Sequence, residues 1–438
     1  MNSHRVVALL LAAAAAACIS PAQTGTGSPL TVEDAVALVL ARNPALEESS
    51  RAIDATRARA EGSRSAYLPS ADVEATYVFL GPVSVFDLPG ESIKVFPYSN
   101  YDGHVGVRQT IFDFQKTGSQ VRLADSRVTL AEDSREAVKR DLAVRAAETF
   151  YAILFLRRSI AVQQEQVSTL GEHLAITRKK AEAGTATQLD ELTTQVRVAA
   201  AQNVEIGLEN SLRSAEIALR RLAALPADAT LDLRGEFSGA TAPPAARDSL
   251  LKAALAGRIE SRSADDALAS ARATRQAAGT NDAPSLSASV LYGVKNGYIP
   301  NLDVLRGNVV AAVDFRLPLF DGNRTNAMEE EAAAGIREAE SRKEEVALMI
   351  QAEVDQAISD LRAANERVAV SETNIAQADL AAANARLRYE AGSISNLDLL
   401  DAVTAVAQAR LTNLQALYDI VVGTIRLRRA TGSPVTGG

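Results

Sequence analysis

The chain contains itself twice. Glu182-Ala183-Gly184-Thr185-Ala186-Thr187-Gln188-Leu189-Asp190-Glu191-Leu192 returns as Glu390-Ala391-Gly392-Ser393-Ile394-Ser395-Asn396-Leu397-Asp398-Leu399-Leu400. Six of these eleven positions are identical, and three more exchange Thr for Ser or Gln for Asn. Upstream, Ile111-Phe112-Asp113 returns as Leu319-Phe320-Asp321 at the same offset of 208. Two landmarks with no net gap between them constrain the architecture before any local signal does. The repeating unit is about half of the 438 residues, far longer than a solenoid repeat, which points to a duplicated, elongated half-molecule.

A chain of this length ordinarily folds as two or three globular domains. Here there is no Trp and only 4% of residues are aromatic, so the large side chains that fill thick cores are scarce. Ala, Leu, Glu, Gln and Arg instead favour long helices that meet along narrow seams. At the N-terminus, a basic start, a short apolar run and Ser20-Pro21-Ala22 before Gln23 read as a signal peptide over residues 1–22. The apolar run is too short for a comfortable transmembrane helix. The alternative is that Cys18, after its run of Ala, carries a lipid. On either reading the chain is exported and forms no disulfide, so packing or oligomerisation must stabilise it. The net charge of -8 becomes -9 once Arg5 is removed, which argues against a nucleic-acid partner.

The period of the apolar residues changes along the chain. From Thr31, a plausible N-cap, helical spacing runs to about Ser65, and Tyr67-Leu68-Pro69 ends it. Val73, Ala75, Tyr77 and Phe79 then alternate with Asp72, Glu74, Thr76 and Val78. After a Gly/Pro-rich stretch, Val105, Val107 and Ile111 alternate with His104, Gly106 and Arg108. The second half has Leu286, Ala288, Val290, Tyr292 and Val294, then Val309, Ala311, Val313, Phe315 and Leu317. These are four strands, each apolar on one face and polar on the other, and each about 9–11 residues long, the length of a tilted membrane-crossing strand. Four strands cannot close a barrel, and lipid does not tolerate an open sheet edge. A membrane barrel built from them must therefore be shared between chains, with an even count of eight strands or more.

Elsewhere the spacing is that of coiled coils. Ile350, Val354, Ala357, Leu361, Ala364, Val368 and Ser371 step by four and three along one seam, and Leu397, Leu400, Thr404, Ala407, Leu411 and Leu414 along another. Asp113 to Ala183 and Asp321 to Ala391 are each long enough for about 100 Å of helix. Leu189 to Leu225 and Ser249 to about Ala278 supply the return in one half; Asn396 to Thr431 and Thr31 to Ser65 supply it in the other. The fold class is mainly α with a four-stranded β segment, internally duplicated, in the shape of a rod.

These features together resemble the TolC-like outer membrane efflux (outer membrane factor) family. The residues that carry the resemblance are Leu30-Thr31 with Ala35 and Asn43-Pro44, Tyr67-Leu68-Pro69, Phe112-Asp113, and Leu319-Phe320-Asp321-Gly322. Tyr389, Gly392 and Leu397-Asp398-Leu399-Leu400-Asp401-Ala402 complete the set. The resemblance implies a homotrimer with a shared twelve-stranded transmembrane β-barrel and an α-helical periplasmic tunnel, in the outer membrane of a Gram-negative bacterium. It further implies a passive exit duct of a tripartite efflux or type I secretion system. The partners would be a periplasmic adaptor (membrane fusion) protein, an inner-membrane RND or ABC transporter, and outer membrane lipid. On this reading the chain divides into a signal peptide (1–22), a first efflux repeat (23–225), an equatorial insert (226–248), a second repeat (249–431) and a flexible tail (432–438).

Asp398 and Asp401 lie three apart on one helix face and would form carboxylate rings at the narrow end of a threefold tunnel. The competing reading is that such acids simply favour a helix start, which covers Asp190 and Asp398 well. The resemblance favours a periplasmic constriction of Asp398, Asp401, Asp190 and Tyr389. The chain also departs from the family at Ile394, where a basic residue is usual. Gly184 and Gly392 end the descending helices, and with Thr185 and Ser393 they form tips that the resemblance assigns to adaptor docking. His173 reads as a solvated helical residue and His104 as part of a polar strand face. No His cluster, Cys pair or nucleophile–base set can be assembled, so neither enzyme activity nor a cofactor or metal is expected. The alternative function is a secreted or periplasmic coiled-coil scaffold without a barrel, which would have no need of the four strands.

Overall fold

The computed structural model describes residues 29–237 and 246–435; the signal-peptide and Cys18 readings lie outside these residues. The duplication is exact at the ends of the long helices. Helix α3 (Lys116–Glu182) and helix α7 (Arg324–Glu390) each have 67 residues and start and stop 208 apart. Each begins the same way. Gln115 and Asn323 are left-handed at φ 68° and 69°. The Asp113 and Asp321 carboxylates accept the Thr117 and Thr325 N–H groups at 2.8 and 2.9 Å. The Phe-Asp pairs of the sequence are therefore helix starts, each satisfying an otherwise orphaned amide. Each long helix also ends the same way, at Gly184 (φ 71°) and Gly392 (φ 70°), where an L side chain would be strained. The chain then turns back into α4 (Gln188–Leu222) and α8 (Asn396–Thr431).

The upper return helices are broken, which corrects the expectation of one helix from Thr31 to Ser65. Helix α1 (Val32–Arg42) stops at Asn43, whose side chain caps α2 (Pro44–Arg64) by accepting the Ala45 N–H at 2.9 Å. Pro44 has no N–H to continue α1 but is well suited to a first helical position. The second repeat breaks at the equivalent place, between α5 (Arg247–Gly257) and α6 (Ile259–Ala278), with Arg258 extended.

Strands β1 (Ser70–Phe79), β4 (Ser99–Phe112), β5 (Ser285–Lys295) and β6 (Arg306–Arg316) form one antiparallel sheet in the order β1-β4-β5-β6. The Gly/Pro-rich stretch between β1 and β4 is not only loop. It holds a small hairpin, β2 (Val85–Leu88) and β3 (Glu91–Lys94), which turns at Gly90. Ser70 and Ser285 open their strands at an offset of 215, while the long helices are offset by 208. The first repeat is therefore seven residues longer between these points, where this hairpin lies.

Helix α3 packs on α4 below and on α2 and α6 above, while α7 packs on α8 below and α6 above. The α7 seam is buried from Ile350 to Ser371 as the heptads require. Helix α8 buries Leu400, Ala407 and Leu414, but Leu397 is an exception and is 49% exposed at the tip. Around the equator, Val39, Phe150, Ile153, Leu219 and Ile425 form the main core. The described part of the insert joins it through Leu231, Leu233 and Phe237. Leu30 N–H donates to the Asp232 carbonyl at 2.8 Å, and Arg234 N–H donates to the Leu30 carbonyl at 2.9 Å. At the C-terminal end of the described residues, Val435 packs on this core and its carbonyl accepts from Arg428 at 3.0 Å.

Candidate functional site

Each tip opens its return helix with the same reciprocal cap. Thr187 N–H and hydroxyl donate to the Asp190 carboxylate at 3.0 and 2.7 Å, and Asp190 N–H donates to the Thr187 hydroxyl. Ser395 N–H and hydroxyl donate to Asp398 at 2.9 and 2.7 Å, with Asp398 N–H donating in return. These are capping boxes, each satisfying two helix-end donors. The Ser395 hydroxyl, then its N–H, hold the Asp398 carboxyl below its ordinary range. Asp401 plays a different part: Arg197 of α4 donates to it at 2.8 Å, linking the first return helix to the second.

A polar network ties the two tips together. Asn396, buried at the start of α8, donates to the Asp190 carbonyl at 3.2 Å and to the Thr194 hydroxyl at 3.1 Å. His173 of α3 reaches the Asn396 side-chain oxygen at 2.6 Å, so it is bound rather than solvated as the sequence suggested. The Tyr389 ring stands edge-on to His173 with centroids 5.3 Å apart, and Lys180 lies 4.5 Å from the Tyr389 centroid. Tyr389 thus braces α7 against α3, while the Asp190 side chain serves its own cap. Beside these residues is a cleft of about 310 Å³, lined in part by Ile176, Arg386 and Leu399. Ile394 is half-buried within the second tip. The 208 offset pairs Gln188 with Asn396, the one sequence signal for this amide, whereas nothing in the periodicity marks Arg197 or His173.

At the other end, the strand register sorts the side chains onto two faces. Val73 is opposite Val105, which is opposite Tyr292, which is opposite Val309. Val107, Val290 and Ala311 form the next row, and Ala288–Val313 and Leu286–Phe315 follow. The opposite face carries Glu74–His104, Arg108–Ser289 and Thr110–Ser287–Asp314. His104 lies 3.2 Å from Asp102 and 3.6 Å from Glu74. The apolar face is open, with Val73 79% and Val313 69% exposed, and both edge strands, β1 and β6, are paired on one side only. A continuous apolar sheet face of this extent marks an interaction or membrane surface. Among the described residues no helix is long and apolar enough to cross a membrane, and no group of three or more His, Cys, Asp or Glu could hold a metal ion.

Residues 35–225 and 250–433 match the family described as outer membrane efflux protein. The chain belongs to that family. It resembles protein CyaE of Bordetella pertussis, with 24% identity over 351 residues, covering 76% of this chain and 70% of that protein. It also resembles the alkaline protease secretion protein AprF of Pseudomonas aeruginosa, with 26% identity over 129 residues, covering 30% of this chain and 27% of AprF. The crystal structure of the Campylobacter jejuni CmeC outer membrane channel has the same fold: TM-score 0.78 at 16% identity, covering 92% of this chain and 85% of CmeC. As an outer membrane efflux protein, the chain is a transport channel of the outer membrane and not an enzyme. The two matched blocks coincide with the two copies seen in the long helices, and the amphipathic sheet is the part suited to lipid.

Proposed function

We propose that three copies of this chain form one passive duct, which exports substrate delivered by an inner-membrane RND or ABC transporter through a periplasmic adaptor. The observation that carries this reading is the four-stranded sheet with two unpaired edges and one open apolar face. Two copies would give eight strands and three would give twelve; both are permitted even counts, and the TolC-like fold favours twelve. The helices supply a second argument. Besides its buried seam, α4 carries Leu189, Leu192, Val196, Ile206 and Ile217 on an exposed stripe whose spacing fits alternating three- and four-residue steps. Helix α7 likewise exposes Val370, Leu380 and Leu387. Stripes with heptad spacing that meet nothing in one chain suit the neighbouring copies of a closed tunnel.

The constriction of this duct is placed at the second tip, with rings of Asp398 and Asp401, and Asp190 and Tyr389 as the bracing groups. Arg197 supplies the basic partner that Ile394 does not, so the closed state rests on the Arg197–Asp401 pair and on the His173–Asn396–Tyr389 contacts. The exposed turns at Gly184, Thr185, Gly392 and Ser393 are the proposed adaptor-docking surface. Planar-bilayer recordings test the constriction. Asp398→Ala combined with Asp401→Ala is expected to weaken cation selectivity and block by multivalent cations while leaving assembly intact. Selectivity and block at wild-type levels would assign these residues to capping and packing alone.

A further inference from the structure

The upper part of the rod contains a buried carboxylate that the duct does not use. Asp133 lies 17 residues into α3, about 25 Å from the start of that helix at 1.5 Å per residue. It is 2% exposed. Arg262 of α6 donates twice to its Oδ1, at 2.9 and 2.7 Å. Its other oxygen, Oδ2, is buried and has no donor. Asp266 lies one turn along α6 from Arg262, on the side of the helix that meets Asp133, and its carboxyl interacts with the Asp133 side chain. Two carboxylates facing each other offer only acceptors, so no hydrogen bond can form between them unless one holds a proton. A buried acceptor left open costs its full desolvation, and like charges this close cannot both ionise without penalty.

We propose that Asp266 holds a proton and donates it to the buried, otherwise unpartnered Oδ2 of Asp133, forming a carboxyl–carboxylate clamp between α3 of the first repeat and α6 of the second. Arg262 balances the single negative charge that the pair then carries. The surrounding charges are already engaged. Asp265 of α6 pairs with Lys343 of α7 at 2.5 Å, and Arg57 of α2 pairs with Glu132 of α3 at 2.5 Å. Arg135 of α3 donates to Ser50 of α2 at 2.9 Å. Polar pairs recur along this seam among buried Leu123, Leu268 and Ala277: Ser126 meets Ser270 at 3.0 Å, Ser119 meets Thr280 at 2.8 Å, and Arg122 meets Gln276 at 3.2 Å.

Burial, then the hydrogen bond to Asp133 and its charge, raise the Asp266 carboxyl above its ordinary value. A raised folded-state value means that the stabilisation is fully present below the unfolded value, about 3.9, and is lost as pH rises through the folded one. The clamp therefore holds in acid and loosens toward neutral and alkaline pH.

The test uses the full-length protein in detergent. Infrared difference spectra taken across a pH series are expected to show a protonated carboxyl that persists above the range where ordinary Asp side chains ionise. That band should be lost in Asp266→Asn and kept in Asp265→Asn. The amide introduced by Asp266→Asn supplies a permanent N–H to Asp133. The melting midpoint of that variant should therefore also lack the decline with rising pH that is expected of the wild type in this window. Asp266→Asn with the wild-type pH profile, or a wild-type spectrum with no such carboxyl, would overturn the proposal. Because the wild-type spectrum decides on its own, failure of a variant to assemble does not leave the question open.

Discussion

Arginine at Val313 should cripple the barrel, and arginine at Ser287 should not. The two positions lie at nearly the same depth, because Val313 is opposite Ala288 and Ser287 is opposite Asp314. They differ in face. Val313 continues the apolar row and is 69% exposed, whereas Ser287 lies between Thr110 and Asp314 on the polar face. A strand rises about 3.3 Å per residue, and a tilt of roughly 40° leaves about 2.5 Å of depth per residue. An apolar band about 25 Å tall then takes about ten residues, which the 11-residue β6 matches. Val313 is two residues from the centre of β6 at Ala311, or about 5 Å from the midplane. Arg on the lipid face costs about 2–4 kcal/mol at the midplane and falls toward zero at the interfaces, so about 2–3 kcal/mol per chain is expected here. In the proposed trimer the cost would be roughly 6–9 kcal/mol per assembly. Arg at position 287 meets the Asp314 carboxylate instead and should cost little. Denaturant midpoints of protein reconstituted in vesicles would measure both variants. Equal damage from the two would mean that the register is displaced by one residue, since a single step moves every side chain to the other face.

Two further substitutions test the helical part. The Arg258 side chain is 1% exposed and bridges Glu260 at 2.7 Å and Glu353 at 2.5 Å, but both carboxylates are partly solvated, so Arg258→Ala should cost about 1.5–3 kcal/mol in thermal or chemical unfolding through the lost charged hydrogen bonds. Burial raises the Glu260 carboxyl, but the Arg258 hydrogen bond, a backbone N–H and the charges of Arg258 and Arg429 together outweigh it and leave the group below its ordinary value. The resulting stabilisation is present above about pH 4.3 and is lost as pH falls through the folded value, so Arg258→Met should flatten the acid limb of the melting profile. Ser395→Ala removes the hydroxyl of the second cap and should lower stability by about 0.5–2 kcal/mol, with faster amide exchange confined to the first turn of α8.

Much of this architecture was legible in the residues, for definite physical reasons. The three-four spacing from Ile350 to Ser371 could only be a helical seam, and alternation from Leu286 to Val294 could only be a strand with two unlike faces. Gly184 and Gly392 marked the tips because a left-handed cap there requires glycine. The break at Asn43-Pro44 was written in the proline, yet the long apolar pattern on both sides obscured it. The matching break at Arg258 has no such marker, since a buried guanidinium between two acids is visible only in three dimensions. The β2–β3 hairpin was hidden by Gly and Pro, which signal turns whether or not short strands lie between them. At the tips, spacing marks Asp190 and Asp398, but whether such an acid caps its helix or faces a tunnel depends on the Thr187 and Ser395 hydroxyl geometry, which spacing does not encode. His173, Asn396 and Arg197 act on partners roughly 200 residues away, a kind of contact that local periodicity does not encode.

The most direct test of the account is the number of chains in the purified particle. Light scattering corrected for bound detergent, followed by imaging of the same sample, should show three copies sharing one twelve-stranded barrel above a helical tunnel, stable only in detergent or lipid. A monomer that is soluble without detergent, or a particle in which each sheet keeps its two open edges, would contradict it.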